Sequence, residues 1–420
     1  MSMQKVPTLS SDSEEESFGS QEVFISRTDS RGIIRSGNSV FKRVSGYEWD
    51  QLIGAPHRVI RHPETPKAVF WLLWAQLAKG EPVVAFVKNI SKSGRWYWVL
   101  ASVVPVQGGY ISGRIKPIGA IYEQTRALYG ELLLAEQGGL SPEKSAGLLL
   151  SKLTDLGYAS YADFSARALE EALEARVINT LQKKGSQALS LKNVLDNMTA
   201  MASQQNLLMQ DFERLQTIPT NMRIIASRLE PSGGPISAIS DNYKYSLTEI
   251  TRKLESFAGN ENNLSKTASI MTTSALLVSG IVRVLSEIQH QLAEEDLSQS
   301  PIDKAAELQI VTIAEQLYSA KSDAEMLNAE RLVTEMNLAS GEIRRMMLGL
   351  DTIRVMGRVE SGRRGGAAGT GLSSTIDQLD ARHGEITDRL QRLMDISSAI
   401  KTAISAFRRQ ERLSPRLEVA

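Results

Sequence analysis

Three apolar runs, Val83 to Ile90, Trp96 to Pro105 and Tyr110 to Lys116, follow one another with almost nothing between them. Ser93-Gly94 separates the first pair and Gln107-Gly108-Gly109 the second. Connections that short join antiparallel neighbours, so the three runs read as a meander. Upstream, Val23-Phe24-Ile25 and Gly32-Ile33-Ile34 flank the turn signal Asp29-Ser30-Arg31-Gly32 and predict a hairpin. Short helical pieces lie between hairpin and meander: Ser39 to Val44, Glu48 to Ile53 ending at Gly54, and Lys67 to Ala78 ending at Lys79-Gly80. The last of these places Val69, Phe70, Leu73 and Leu77 on one face. Residues 21–117 are therefore expected to form an α+β head whose five-stranded antiparallel sheet cups a ligand-sized space.

The rest of the chain reads as helix. In a connector, residues 118–190, Ile121 to Glu131 continues past the last strand and Gly138-Gly139 breaks it. Ser141-Pro142 then supplies an N-cap with proline at the first helical position, opening Ser145 to Leu156. A further helix spans Ser160 to Leu181. Residues 191–415 repeat apolar side chains near i, i+3, i+4 and i+7, as in Leu191, Val194, Leu195, Met198 and Met201. This predicts an all-α helical bundle or coiled-coil region. Two segments resemble each other, Met222 to Glu230 leading to Glu249-Ile250-Thr251, and Ile353 to Glu360 leading to Glu385-Ile386-Thr387. Pro231 to Pro235 reverses the first and the glycine-rich Gly362 to Gly371 the second, so both are expected to be helical hairpins.

Several function classes drop out on composition. Lys+Arg 48 against Asp+Glu 48 leaves no net charge to hold nucleic acid. Cysteine is absent, which removes disulfides, thiolate metal sites, thiol nucleophiles and cysteinyl-flavin photochemistry. His57, His62, His290 and His383 form no i,i+4 pair, so no zinc site is expected. The Gly362 to Gly371 run lacks the Gly-Lys-Ser/Thr end of a phosphate loop, and nothing else suggests an enzyme. Residues 1–20 carry the acidic tract Asp12 to Glu16 and no apolar run, so they read as a disordered tail and not a signal peptide. The longest uncharged stretch, Thr267 to Val282, is short of the ~20 apolar residues a spanning helix needs. It is read as a buried helix, and the protein as cytoplasmic without a membrane span.

The head resembles a known family. Phe24 to Asp29, Gly32-Ile33-Ile34, Asn38, Phe41, Val44 to Tyr47, Leu52-Ile53-Gly54, Pro56-His57 and Arg61-His62-Pro63 look like the PAS domain of bacterial aerotaxis receptors. Pro66, Phe70, Trp74, Val87-Lys88-Asn89, Gly94, Tyr97-Trp98-Val99 and Lys116-Pro117 extend the match over about a quarter of the chain. Such domains commonly hold FAD and report redox state, while related ones hold haem b. The resemblance implies a flavin site at Arg61, His62 and Asn89, with Trp74 nearby and Glu64 where the family usually has Asp. It also sets Val83, Ala85 and Gly113 apart from the family's usual side chains. Physically, a flavin needs an apolar slot, an amide such as Asn89 for its polar edge, and cations for its phosphates. Arg61 suits the phosphates and His62 the ring or ribose. The residues alone leave two alternatives open: Arg61 and His62 bracing helices with Asn89 ending a strand, or His57 or His62 as a haem ligand.

Thr220 to Glu230 also resembles, in altered form, the signalling tip of chemoreceptors, the family's docking surface for the chemotaxis kinase and its coupling protein. The expectation is a sensor of redox or oxygen state and not an enzyme, in which a homodimer relays the state of an FAD head to a coupling protein or histidine kinase. The alternatives are a haem sensor and a ligand-free interaction scaffold.

Overall fold

The computed structural model describes residues 14–179, 186–230, 233–256, 264–364 and 366–413. Five strands form one antiparallel sheet among them: β1 (Phe24–Asp29), β2 (Ile34–Gly37), β3 (Val83–Ile90), β4 (Trp96–Val106) and β5 (Gly109–Ile115). Their order across the sheet is β2-β1-β5-β4-β3, so the hairpin and the meander meet where β1 pairs with β5. Three helices and a 3-10 turn bridge the two halves: α1 (Ser39–Ser45), α2 (Trp49–Leu52), the turn His57–Ile60 and α3 (Lys67–Leu77). Local chemistry fixes these pieces. Asn38 caps α1 by accepting from the Phe41 N–H, accepts from the Ile25 N–H and donates to the Val23 carbonyl, which ties helix to strand. Gly46 ends the same helix at φ 71, in the left-handed region glycine favours.

Three helices of the connector pack against this head: α4 (Ala120–Gln137), α5 (Pro142–Asp155) and α6 (Tyr161–Asn179). Ser141 caps α5 as its sequence predicts, accepting from the Lys144 N–H. The carboxylate of Glu136, in α4, accepts from the Lys67 and Ala68 N–H groups and so caps α3. On the outer face of β3, Tyr129 donates to the Phe86 carbonyl, and both Tyr161 and Ser165 donate to that of Val84.

The chain separates into two compact units whose boundaries differ from those expected. One joins residues 1–188 with 273–324, the other 189–272 with 325–420. The first therefore takes in most of α10 (Leu264–Glu294) and the start of α11 (Lys304–Arg364). The reason lies on the outer face of β5. Gly113 leaves a slot there, in which an added Cβ would come within 2.6 Å of Ile288 and 2.7 Å of Val284, both in α10. Opposite Gly280 of the same helix sits Leu169 of α6. The expected disordered tail divides as well. Residues 1–13 lie outside the described residues, but the Glu16 N–H bonds the Trp96 carbonyl and Phe18 is buried, edge-on to Phe24 at 4.7 Å.

Thr267 to Val282 lies in a buried helix as read, but that helix is longer than expected: over Lys266–Glu294 it is long and apolar enough to cross a membrane. Its most apolar stretch is 67% buried within the protein. Ser and Thr interrupt the apolar run without ending the helix, which lengthens it beyond the uncharged stretch.

In the second unit, α7 (Ser186–Leu215), α8 (Thr217–Leu229), α9 (Pro235–Leu254), the later part of α11 and α12 (Gly366–Leu413) build a bundle. The two mutually similar segments are each helix, reversal, antiparallel helix. At the first, Glu230 accepts from the Ile236 and Ser237 N–H groups, while Pro231 and Ser232 lie outside the described residues. At the second, α11 continues to Arg364 and α12 begins at Gly366, with Gly365 outside the described residues.

The slot at Gly113 yields a test. Gly113→Val should destabilise the first unit by about 1–3 kcal/mol, through overpacking against Val284 and Ile288. Chemical denaturation followed by near-UV circular dichroism checks it, and unchanged stability would mean that α10 does not sit on β5.

Candidate functional site

Alternate residues of a strand face opposite sides of its sheet, and here one side is hollow. Ser26 and Thr28 of β1, Val87 and Asn89 of β3, Ala101 and Val103 of β4, and Tyr110, Ser112 and Arg114 of β5 floor a cavity of about 500 Å³. Phe70, Leu73, Trp74 and Leu77 of α3 close it from the other side, with His57, Arg58 and Arg61 at one edge and Arg31-Gly32-Ile33 at another. The volume lies within the range of small-molecule sites.

The charge of the lining is lopsided. Four arginines (Arg31, Arg58, Arg61 and Arg114) and no carboxylate line the cavity among the described residues. Arg61 lies at the mouth with its guanidinium 3.4 Å from the Phe70 ring centroid, and it forms an isolated bridge with Asn89. Burial, and then the neighbouring Arg58, hold its pKa below the usual arginine value. Trp74 is half exposed at the rim, edge-on to Tyr110 at 5.7 Å, and its ring lies over Gly32, a turn residue with φ 76. Asn89 is 2% exposed, and its Nδ2 has no partner among the described residues. The Oγ of Ser112 and the Nη1 of Arg114 are likewise buried without partners there. Orphaned buried donors of this kind mark a wall built to meet something.

Of the residues singled out by sequence, Arg61, Trp74 and Asn89 come together on the cavity. His62 and Glu64 do not. His62 is 2% exposed, its backbone N–H bonds the Lys88 carbonyl and its Nδ1 accepts from the Glu64 N–H. Glu64 is an exposed partner of Lys88, and Thr65 exchanges hydrogen bonds with the Lys88 backbone. These residues clip the 61–65 segment to β3, which sets where Arg61 stands. Gly113 also points away from the cavity, towards α10, so its lost side chain does not enlarge the hollow. One ring nitrogen of each histidine is engaged: the Nε2 of His57 accepts from Arg114 at 2.6 Å and lies 3.3 Å from Ser26 Oγ, and the Nδ1 of His62 accepts from the Glu64 N–H. No cluster of metal-ligating side chains exists among the described residues.

Arg114 is the residue that the sequence reading missed. It is 5% exposed, and burial brings its pKa down to about 10. Its signal was present in β5, where Tyr110, Ser112 and Arg114 occupy the inward alternation of a strand that should otherwise be apolar there. His57, considered only as a haem ligand, is held neutral by burial and then by Arg114 and Arg61, which push its pKa well below the ordinary histidine value. A depressed histidine pKa contributes stability that is present above about pH 6.5 and lost as the pH falls below it. Replacing His57 by Gln, which can still accept from Arg114, should flatten the acid side of the stability profile by up to about 1.4 kcal/mol per pH unit. Denaturation midpoints of both proteins between pH 7.5 and 5 check this, and parallel profiles would contradict a neutral His57.

Comparison with known proteins places the head in a known fold. A family model described as the PAS fold matches residues 35–114. Over 90 residues, 21% of this chain, the sequence is 48% identical to the aerotaxis receptor of Escherichia coli strain K12. Over 84 residues, 20% of this chain, it is 31% identical to a nitrogen fixation regulatory protein of Klebsiella pneumoniae. These alignments span only 18% and 17% of the two relatives. Among solved structures, the PAS domain of a protein from Colwellia psychrerythraea is similar at 20% identity and a TM-score of 0.21, covering 22% of this chain and 85% of that one. The light state of the Aureochrome1 LOV photoreceptor matches at 22% identity and a TM-score of 0.22, covering 28% and 92%. The head of this chain is a PAS domain similar to that of the aerotaxis receptor, fused to a helical remainder.

Proposed function

We propose that the chain is a cytoplasmic PAS sensor of redox or oxygen state that binds FAD and relays its state through the helical body to a signalling protein. The observation that carries this reading is the cavity itself: apolar walls, four arginines without a carboxylate, and unpartnered donors at Asn89, Ser112 and Arg114. A dinucleotide that is anionic at its pyrophosphate and polar along one ring edge suits such a lining. Asn89 would pair the polar edge of the ring, Arg61 with Arg58 and Arg31 would hold the phosphates, and Trp74 would cover the mouth. The bound flavin would supply reversible electron uptake, which no side chain of this protein can. His62 and Glu64 would act only by fixing Arg61.

The relay would begin where the cavity wall meets the added helices. Ser26 lines the cavity, and the next residue, Arg27, grips Glu307 of α11 through Nε and Nη2 at 2.6–3.0 Å. Glu136 joins the N-terminus of α3 to α4. The similarity to an aerotaxis receptor supports a signalling partner, and the reading takes the protein as a homodimer whose partner is a chemotaxis coupling protein or histidine kinase. His62 lies off the cavity and the Nε2 of His57 is taken by Arg114, an arrangement that supports flavin over haem.

Purified protein should be yellow, with flavin absorbance that bleaches on reduction. Asn89→Ala and Arg61→Ala should each lower flavin content roughly 5- to 100-fold, the range set by losing a buried hydrogen bond worth about 1–3 kcal/mol. Far-UV circular dichroism should be unchanged. A colourless protein that takes up neither flavin nor haem would end the redox reading, and full occupancy in both variants would end the assignment of these residues.

A further inference from the structure

Arg114 presents a problem that the proposed function leaves unsolved. Its Nη2 donates to Ser26 Oγ at 3.0 Å and to His57 Nε2 at 2.6 Å, both neutral groups. The Phe41 ring lies 5.8 Å from the guanidinium, and its Nη1 has no partner among the described residues. A buried cation ordinarily sits beside an anion, because leaving it without one is costly in a low-dielectric interior. No carboxylate lines the cavity among the described residues, and Glu307 of α11, on the outer face of the sheet, is taken by Arg27. The other three arginines of the lining stand at its edges, whereas Arg114 is deep, 5% exposed and locked by two acceptors.

We infer that Arg114 is the residue that sets the redox poise of this site, its missing counter-charge being the negative charge that a bound flavin gains on reduction. The inference rests on the flavin reading. Two-electron reduction of an oxidised flavin with uptake of one proton leaves one net negative charge on the ring, the electrons coming from a soluble donor such as a dihydronicotinamide. A fixed guanidinium favours that reduced form over the neutral oxidised one and so raises the midpoint potential. Ser26 and His57 hold the guanidinium in place but, being neutral, leave its charge uncancelled. Arg114 is thus a positioned charge, distinct from the arginines suited to the phosphates.

The test compares wild type with Arg114→Gln and Arg114→Lys, each loaded with FAD, by redox titration against a reference dye with dithionite as reductant. Arg114→Gln should lower the preference for reduced over oxidised flavin at least tenfold, a fall of about 30 mV for a two-electron couple. Arg114→Lys, which keeps the charge, should recover most of that fall. If Arg114→Gln releases its flavin, titration with oxidised and with dithionite-reduced FAD reads the same quantity, and the loss of affinity for reduced FAD should exceed that for oxidised FAD tenfold. Yellow variants with the wild-type potential, or equal losses for both forms, overturn the role of Arg114 while the flavin site stands. A colourless wild type that binds neither form overturns both.

Discussion

Strand β5 must satisfy two partners at once, and its alternation is the constraint on which the first unit depends. Tyr110, Ser112 and Arg114 face the cavity, whereas Gly113, one residue out of phase, faces α10. A one-residue slip against β1 would turn the arginine towards the apolar helix and the glycine towards the cavity. The pairing of Phe24 with Arg114 and Ser26 with Ser112 prevents it, and the buried Phe24, stacked on Tyr97 at 5.7 Å, holds that register. A single strand thus joins the candidate site to the helix that covers the outer face.

The extent to which this was legible in sequence follows from the range of each signal. Meander, hairpin and small helices are local patterns, set by Ser93-Gly94, Asp29 to Gly32 and the Asn38 cap, and they appear where expected. Arg61, Trp74 and Asn89 were found because they belong to a recognisable set of residues, and their meeting on one cavity depends on that same local architecture. What sequence could not supply was the pairing of distant elements. That Thr273 to Ala324 belongs with the head reflects Gly113 matching Val284 and Ile288, a complementarity between residues far apart in sequence that no period reveals. His62 was misplaced for a related reason: it is adjacent to Arg61, but the clip through Lys88 turns it away from the hollow.

Arg114 was overlooked because an arginine in a strand is most often a solvated side chain, and only the register shows it to point inwards. Its neighbours then take on a consistent sense. His57 must be neutral at Nε2 to accept from the guanidinium, and the burial that depresses its pKa secures that form. Asn89 and Ser112 are left with unsatisfied donors on the same face. Had the cavity been filled by its own side chains, these atoms would have partners; instead the lining is polar where a ligand edge would lie and apolar over the walls.

The same geometry suggests how a change in the cavity would leave it. Successive residues of β1 point to opposite faces, so Ser26 bonds Arg114 inside while Arg27 bonds Glu307 outside. Movement of Ser26 by a fraction of an ångström would alter the aim of a bidentate, charge-assisted contact, whose strength depends on alignment. That pair is mostly buried, with side-chain exposures of 25% and 10%, so solvent screens it less than an ordinary surface ion pair. A bias of about 1–3 kcal/mol is typical of the free energy by which one site alters another. One buried ion pair, adjacent to the cavity wall and anchored in the first turns of a long helix, is of the right order to carry it.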